Sequence, residues 1–380
     1  MAFYPTTLLE ISILVTVAVF AVETIRQRTQ LKWRTPYTIP AVVFLVAGAI
    51  SVLDAPSRTA ALGLYRAYLI EPIAFAFVIA HVVRSHRQAC VALAGLGIAG
   101  AVVGAANSVV VLSALRSHTY NVTETPPVVI YSTANAVALF LVPLCAVAGS
   151  LMVYGPGRRE RVLGAAFLVI GIPSVLLSFS RGGYLAMAAC ALALAISHRR
   201  RVWLAAATVA SGLLLLLIPP IGTRILIQLQ NGYGNTFIGR AGRLSLWSDT
   251  LQMLKERPIL GAGLSGFAER IAPFWNANHP ERFIDPHNIV LNFWVETGLL
   301  GVFAFAWLLV VAFRMSWRGW NNSNAGWRPI QLGVLLALVA VVVHGLVDVP
   351  YFKNDLSLLF WTLVAVSMVG QLSVGRDRHT

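Results

Sequence analysis

Three stretches of this chain hold residues able to manage an anion and a proton. The first runs Asn231-Gly-Tyr-Gly-Asn-Thr-Phe-Ile-Gly-Arg240-Ala-Gly-Arg243-Leu-Ser-Leu-Trp247. Two arginines beside glycine turns favour an anion site, because the planar guanidinium matches phosphate oxygens two at a time. Taken alone, either arginine fits a side chain snorkelling to lipid headgroups equally well. The second is Ser180-Arg181-Gly182-Gly183, a tight turn whose glycines let backbone N–H groups approach a ligand beside the guanidinium. An interfacial anchor is the plainer alternative there. The third is Asp285-Pro286-His287-Asn288. Asp285 suits a helix N-cap and Pro286 the first helical position, which puts His287 in the first turn. A helix N-terminus disfavours the imidazolium, so His287 is expected to be neutral at pH 7 and able to accept a proton. A base beside an arginine cluster is what transfer from a phosphate leaving group requires.

Other polar residues are less specific. His344 and Asp348 are four apart, which on a helix means one face. Ionisable residues in an apolar span are functional candidates by default, and a structural hydrogen-bonded pair carries equal weight here. Glu296 and the Arg66–Glu71 pair read as helix–helix contacts or the lining of a polar cavity. The chain has no GxxxxGK[ST] loop, no HExxH and no Cys/His ligand spacing. His279 and His287 with scattered carboxylates make a poor metal site, so no metal or other cofactor is expected and charge neutralisation falls to the arginines. Cys90, Cys145 and Cys190 lie in or beside apolar runs and read as small packing residues.

The elements that must position these residues are membrane helices. Of the 380 residues, 57% are hydrophobic and only 12% charged, about half the charged fraction of a soluble domain. Apolar runs suited to spanning helices fall at residues 7–22, 38–53, 60–83, 89–114, 130–154, 162–178, 183–197, 202–220, 287–313, 330–348 and 355–373. The first is expected to be a retained helix, since no basic residue precedes it as in a cleavable signal. The net charge of +14 would suit a nucleic-acid binder, but the basic residues lie between the apolar runs. Arginines crowd into alternate loops, at 26–34, 84–87, 158–161, 199–201 and 314–328, whereas the opposite short loops hold only Arg58, Arg116, Arg181 and Lys353. The crowded side is therefore cytoplasmic, with the N-terminus outside and the C-terminus inside. The expected architecture is all-α: N-terminal membrane helices over 1–220, a large extracytoplasmic loop over 221–286, and C-terminal membrane helices over 287–380. Within the loop, Leu244, Trp247, Leu251 and Leu254 predict an amphipathic helix at the membrane interface.

Taken together, these residues resemble the O-antigen ligase and polymerase superfamily of bacterial envelopes. The family's H[NSQ]x9GxxG pattern is met by His287, Asn288, Gly298 and Gly301. Its Rx3L pattern is met by Arg181 with Leu185 and by Arg240 with Leu244. Ser132 to Asn135 and His344 to Asp348 also look like family positions. The resemblance covers roughly residues 130–350. Ligases of the family usually have twelve spans with both termini inside, and eleven spans depart from that.

The resemblance implies a polytopic, GT-C-like, metal-independent glycosyltransferase in the bacterial inner membrane, acting on the periplasmic face. Its donor would be a glycan on undecaprenyl diphosphate and its acceptor a hydroxyl of the lipid A core or another glycan. Arg181 and Arg243, with Arg240, would hold the diphosphate, and His287 would take the acceptor proton with inversion at the anomeric carbon. Trp247, Asn288, His344 and Asp348 would line the substrate site. The sequence leaves open whether Asn288, Asp285 or Asp348 orients the histidine. A polymerase joining lipid-linked repeat units needs the same donor site. A transporter is the alternative of another class, but it should show repeat symmetry and midplane binding residues. No repeat is evident, and the polar candidates cluster at the outer surface.

Overall fold

The computed structural model describes residues 7–121, 125–219, 222–223, 226, 242–275 and 283–377, with side chains described to residue 370. Among them it is helical throughout, with no strand. In chain order come α1 (Leu8–Gln27), α2 (Thr38–Asp54), α3 (Arg58–Tyr65), a π-turn (Arg66–Ile70), α4 (Glu71–Val82), α5 (His86–Arg116), α6 (Ala134–Tyr154), α7 (Arg158–Leu177), α8 (Arg181–Ile196) and α9 (Arg201–Leu215). The large loop contributes α10 (Arg243–Glu256) and the short α11 (Phe267–Arg270). The chain closes with α12 (Ile289–Asn322), α13 (Trp327–Gly345) and α14 (Asn354–Asp377).

Seven helices among the described residues are long and apolar enough to cross a membrane, and four shorter apolar helices accompany them. These eleven segments fall on the eleven runs read from the sequence, α3, the π-turn and α4 together forming one continuous 25-residue span. Sequence also marks their starts. Thr7 with Glu10 and Ser85 with Gln88 form capping boxes at α1 and α5, and Ser180 Oγ accepts the Gly183 N–H at the start of α8 (3.2 Å).

Packing sorts the helices by composition. α6 lacks any charged side chain and is buried along nearly its whole length, as expected of a helix that is apolar all round. It packs mainly against α7 and α13, whereas α1 leaves Leu8, Leu14, Val15, Val19 and Val22 exposed, the surface of a peripheral helix facing lipid.

The large loop docks on α12. Leu246, Met253 and Leu254 of α10 join Ala262, Phe267 and Ile271 and close against Leu291 and Val295. The helix expected from Leu244, Trp247, Leu251 and Leu254 exists, but its buried stripe is Leu246, Thr250, Met253 and Leu254. Leu244 and Leu251 stay exposed. The packing partner is protein, so the buried face is rotated from the one the leucine spacing indicated.

What lets the loop approach is a break in α12 at Gly298, with φ +68°. A Cβ there would lie 2.5 Å from the Ile259 carbonyl oxygen, so only glycine combines this left-handed conformation with that contact. Carbonyls freed by the break find partners in the loop and in α2. Val295 O accepts the Ala262 N–H (2.7 Å), and Glu296 O accepts the Ser51 hydroxyl. The Glu296 carboxylate accepts the Ser265 N–H at 2.8 Å, so its side chain fastens loop to helix while its carbonyl joins α12 to α2. A second fastening is Asp54, at the end of α2, which receives Arg257 Nη2 at 2.7 and 2.6 Å and Arg270 Nη1 at 2.8 Å.

Candidate functional site

His287 lies just ahead of α12 rather than in its first turn. The N-cap is Asn288, whose Oδ1 accepts the N–H groups of Val290 (3.0 Å) and Leu291 (3.1 Å). Asp285, expected as the cap, instead accepts the backbone N–H of His287 at 3.0 Å. That contact accompanies His287 at φ +48°, a left-handed conformation that few non-glycine residues adopt. Asn288 Nδ2 donates to Leu346 O across to the end of α13 (3.0 Å), and Trp247 Nε1 donates to Pro286 O (2.9 Å). The histidine turn is thus pinned from three directions: its own aspartate, the α12 cap and α10.

Asp348 joins this turn from another part of the chain. α13 ends at Gly345, so Asp348 is not on a helical face with His344 as its spacing predicted; it sits in the connection that follows. From there Asp348 Oδ1 lies 3.4 Å from His287 Nδ1, and Asp285 Oδ1 lies 3.1 Å from the same nitrogen. Arg243 Nη2, from the first residue of α10, lies 3.8 Å from Asp348 Oδ2. His344 occupies the last turn of α13 and faces the start of α8, with Nε2 3.5 Å from Ser180 Oγ. Gly182 permits that approach, since a Cβ there would stand 2.6 Å from His344 Cδ2. The Ser180–Gly182 turn carrying the exposed Arg181 therefore abuts His344. Arg240 lies outside the described residues.

Charge is distributed unevenly over the cluster. Burial would raise the Asp348 pKa, but His287 beside it, with His344 and Arg243 nearby, holds it far below the usual carboxylate range. Burial works against protonation of His287, yet Asp285 and then Asp348 outweigh it, so its pKa stands above the ordinary 6.5. The neutral imidazole expected from a helix N-terminus is thus opposed by two carboxylates, since charges at 3 to 4 Å outweigh the partial charge of a helix end. Burial lowers the Arg243 pKa against the pull of Asp348 and Asp285.

Hydrogen-bonding capacity is left over here. Arg243 Nε, His287 Nδ1, His344 Nδ1, Asp348 Oδ2 and both amide atoms of Asn292 are buried without a hydrogen bond among the described residues. Native proteins leave few such atoms, and each calls for an explanation. Asn292 escaped the sequence reading. Its available signal was position, one turn after Asn288 in an otherwise apolar stretch.

Known proteins resemble this chain over part of its length. Residues 165–306 match the O-Antigen ligase family, Wzy_C. An uncharacterized protein of Haemophilus influenzae is 22% identical over 205 residues, covering 49% of this chain and 50% of the relative. An O-antigen ligase of Pseudomonas aeruginosa is 25% identical over 138 residues, 34% of this chain and 29% of that protein. The chain thus spans half the length of the first relative and under a third of the second. Arg181, Arg243, His287 and the Gly298 break fall inside the matched segment, whereas His344 and Asp348 lie beyond it and join the site only through the fold.

Proposed function

For a multi-pass membrane protein carrying a Wzy_C O-antigen ligase family domain over residues 165–306, we propose a glycosyltransferase reaction. A glycan passes from undecaprenyl diphosphate to a hydroxyl of the lipid A core, on the periplasmic face of the bacterial inner membrane. The observation that carries this reading is that one carboxylate, Asp348, contacts both His287 and Arg243, which couples a base to an anion-binding cation.

With Nδ1 turned to Asp285 and Asp348, the neutral ring keeps its proton on that nitrogen and offers Nε2 as the acceptor. The acceptor hydroxyl attacks the anomeric carbon from the face opposite the diphosphate, its proton passing to Nε2 as the new C–O bond forms. The anomeric C–O bond to phosphate breaks at the same time, and the leaving diphosphate takes the electron pair. Arg243 and Arg181, joined by Arg240, neutralise that charge. Asp348 holds both the imidazolium and the guanidinium, so base and leaving-group stabiliser keep a fixed relation through the step. Trp247, Asn288 and His344 shape the site around them. One direct displacement inverts the anomeric configuration.

The test is transfer by purified protein without added metal, from undecaprenyl-diphosphate glycan to lipid A core, comparing wild type with Arg243→Ala and His287→Ala. Transfer by wild type alone supports the assignment. Extension of the lipid-linked glycan with the core unmodified would make the protein a polymerase. Equal transfer by all three would remove both residues from the chemistry, and donor crossing a sealed vesicle with no glycan transferred would point to transport.

A further inference from the structure

A second polar cluster lies apart from the histidine turn, and no step of the reaction above uses it. Glu10 of α1, Arg66 of the π-turn, Glu71 of α4 and Asn354 of α14 meet between four segments. Arg66 Nη2 is 3.1 Å from Glu10 Oε2, Arg66 Nε is 3.1 Å from Glu71 Oε1, and Asn354 Nδ2 donates to Glu10 Oε1 at 2.8 Å. Arg66 and Glu71 are five residues apart, a spacing that an α-helix would send to different faces. The π-turn over Arg66–Ile70, closed by the Glu71 N–H bonding to Arg66 O, brings them together. Such insertions are rare and recur at functional sites.

Two further observations argue against a purely structural clamp. The Glu71 side chain is only 2% exposed, and its ionic partner is Arg66. The pair is not aligned as a hydrogen bond, and neither Glu71 oxygen has one among the described residues, so the buried carboxylate keeps accepting capacity that a fully satisfied clamp would have used. The cluster is also reached from outside, since Arg66 is 38% exposed. The residues flanking Asn354 add polar and aromatic groups: Tyr131 donates its hydroxyl to Asp355, and Lys353 Nζ lies 5.9 Å over the Tyr131 ring. Carboxylates that accept from hydroxyls, a guanidinium fork that donates to them, and aromatic faces for C–H surfaces together suit a neutral, polyhydroxylated ligand.

The chain path ties this cluster to the histidine site. Asp348 lies in the connection between α13 and α14, and Asn354 is the first residue of α14. Six residues of extended chain reach at most about 22 Å, so the two clusters lie within the length of a short oligosaccharide. We propose that Glu10, Arg66 and Glu71 form a recognition site for hydroxyls of the acceptor glycan, separate from the arginine site for the donor diphosphate. The proposal rests on the glycosyl-transfer reading for the word acceptor, but its test reads binding alone.

Immobilised full-length protein in detergent is incubated with a pool of envelope oligosaccharides freed of phosphate and, separately, with undecaprenyl diphosphate. Glu71→Gln and Glu10→Gln should each retain at least about tenfold less oligosaccharide than wild type, the scale expected when a site built for a hydroxyl loses a partner. Their binding of undecaprenyl diphosphate should be unchanged, and Arg243→Ala should show the reverse pattern. Because Gln relieves a buried charge, the melting temperature of Glu71→Gln should hold or rise. If that variant instead melts early, Arg66→Lys, which preserves the clamp's charge, takes its place with the same expected loss. Oligosaccharide retained equally by wild type and variants, or not retained by wild type, overturns the site. Failure of wild type to bind undecaprenyl diphosphate would count against the donor reading and leave the oligosaccharide result standing.

Discussion

Asp54 and Asp348 each gather two basic side chains from distant parts of the chain, yet they do so very differently. Asp54 takes Arg257 through both carboxylate oxygens and Arg270 through one, all within 2.8 Å. Arg257 Nε is occupied as well, donating to Gly261 O at 2.8 Å. Asp348 meets Arg243 at 3.8 Å and His287 at 3.4 Å, and Arg243 Nε, His287 Nδ1 and Asp348 Oδ2 are left without hydrogen bonds among the described residues. A carboxylate with both oxygens held by guanidinium donors at hydrogen-bond distance fixes geometry. A looser group with bonding capacity in reserve can take up a charged ligand. A carboxylate between two basic side chains thus makes a tight fastening at Asp54 and a looser polar cluster at Asp348, the one proposed above to bind and react.

The sharpest way to break this comparison is His287→Ala. It should lower glycan transfer about 10²- to 10⁴-fold, the usual worth of a general base, with the thermal unfolding of the purified protein unchanged. A large fall in melting temperature would move His287 to the structural side. Asp54→Ala should behave oppositely, losing about 1–3 kcal/mol of stability as two partly buried guanidinium groups lose their acceptor. Transfer per folded molecule should persist in that variant. Thermal unfolding in detergent beside an activity assay reads both quantities.

Arginine-to-lysine exchanges sharpen the contrast further. Arg257→Lys should cost about 1 kcal/mol of stability, because lysine has no second donor nitrogen to replace the Nε bond to Gly261 O. Arg243→Lys should leave stability nearly untouched and raise the KM for the lipid-linked donor, and a kinetic titration separates these outcomes. The smallest effect is a displaced pH profile. His287 must be unprotonated to act as base, so transfer should rise with pH through a pKa above 6.5. Asp285 is the strongest of the influences that raise it, so Asp285→Asn should move that limb to lower pH. The linked stability runs the other way: the charged pair is fully present below pH 6.5 and is lost as pH rises through the folded-state pKa. A pH–rate profile of the variant that coincides with wild type would leave Asp348 alone as the partner of His287.

Much of this was legible before the fold. Runs of apolar residues announce helices because a backbone without water must satisfy itself locally, and all eleven segments fall where composition put them. Arg243 and Arg181 stood out by residue type and neighbouring glycines, and His287 by following Asp285-Pro286 at a helix start. Local detail went differently where tertiary partners compete with local preference. Asp285 had the makings of a cap, but Asn288 capped α12 while Asp285 took the His287 N–H. α10 turned Leu246 and Met253 inward because its partner is α12.

The sequence by itself determined the class of the protein, the position of its helices and the residue types available for chemistry, since hydropathy and side-chain chemistry are local properties. Only the tertiary structure decided which carboxylate serves which cation. Asp348 lies 61 residues after His287 and 105 after Arg243, and nothing in their spacing joins them. The α12 break at Gly298 docks the loop carrying Arg243, and Asn288 ties the histidine turn to the end of α13. Contacts across such separations depend on how helices and loops pack, which local sequence preference does not encode.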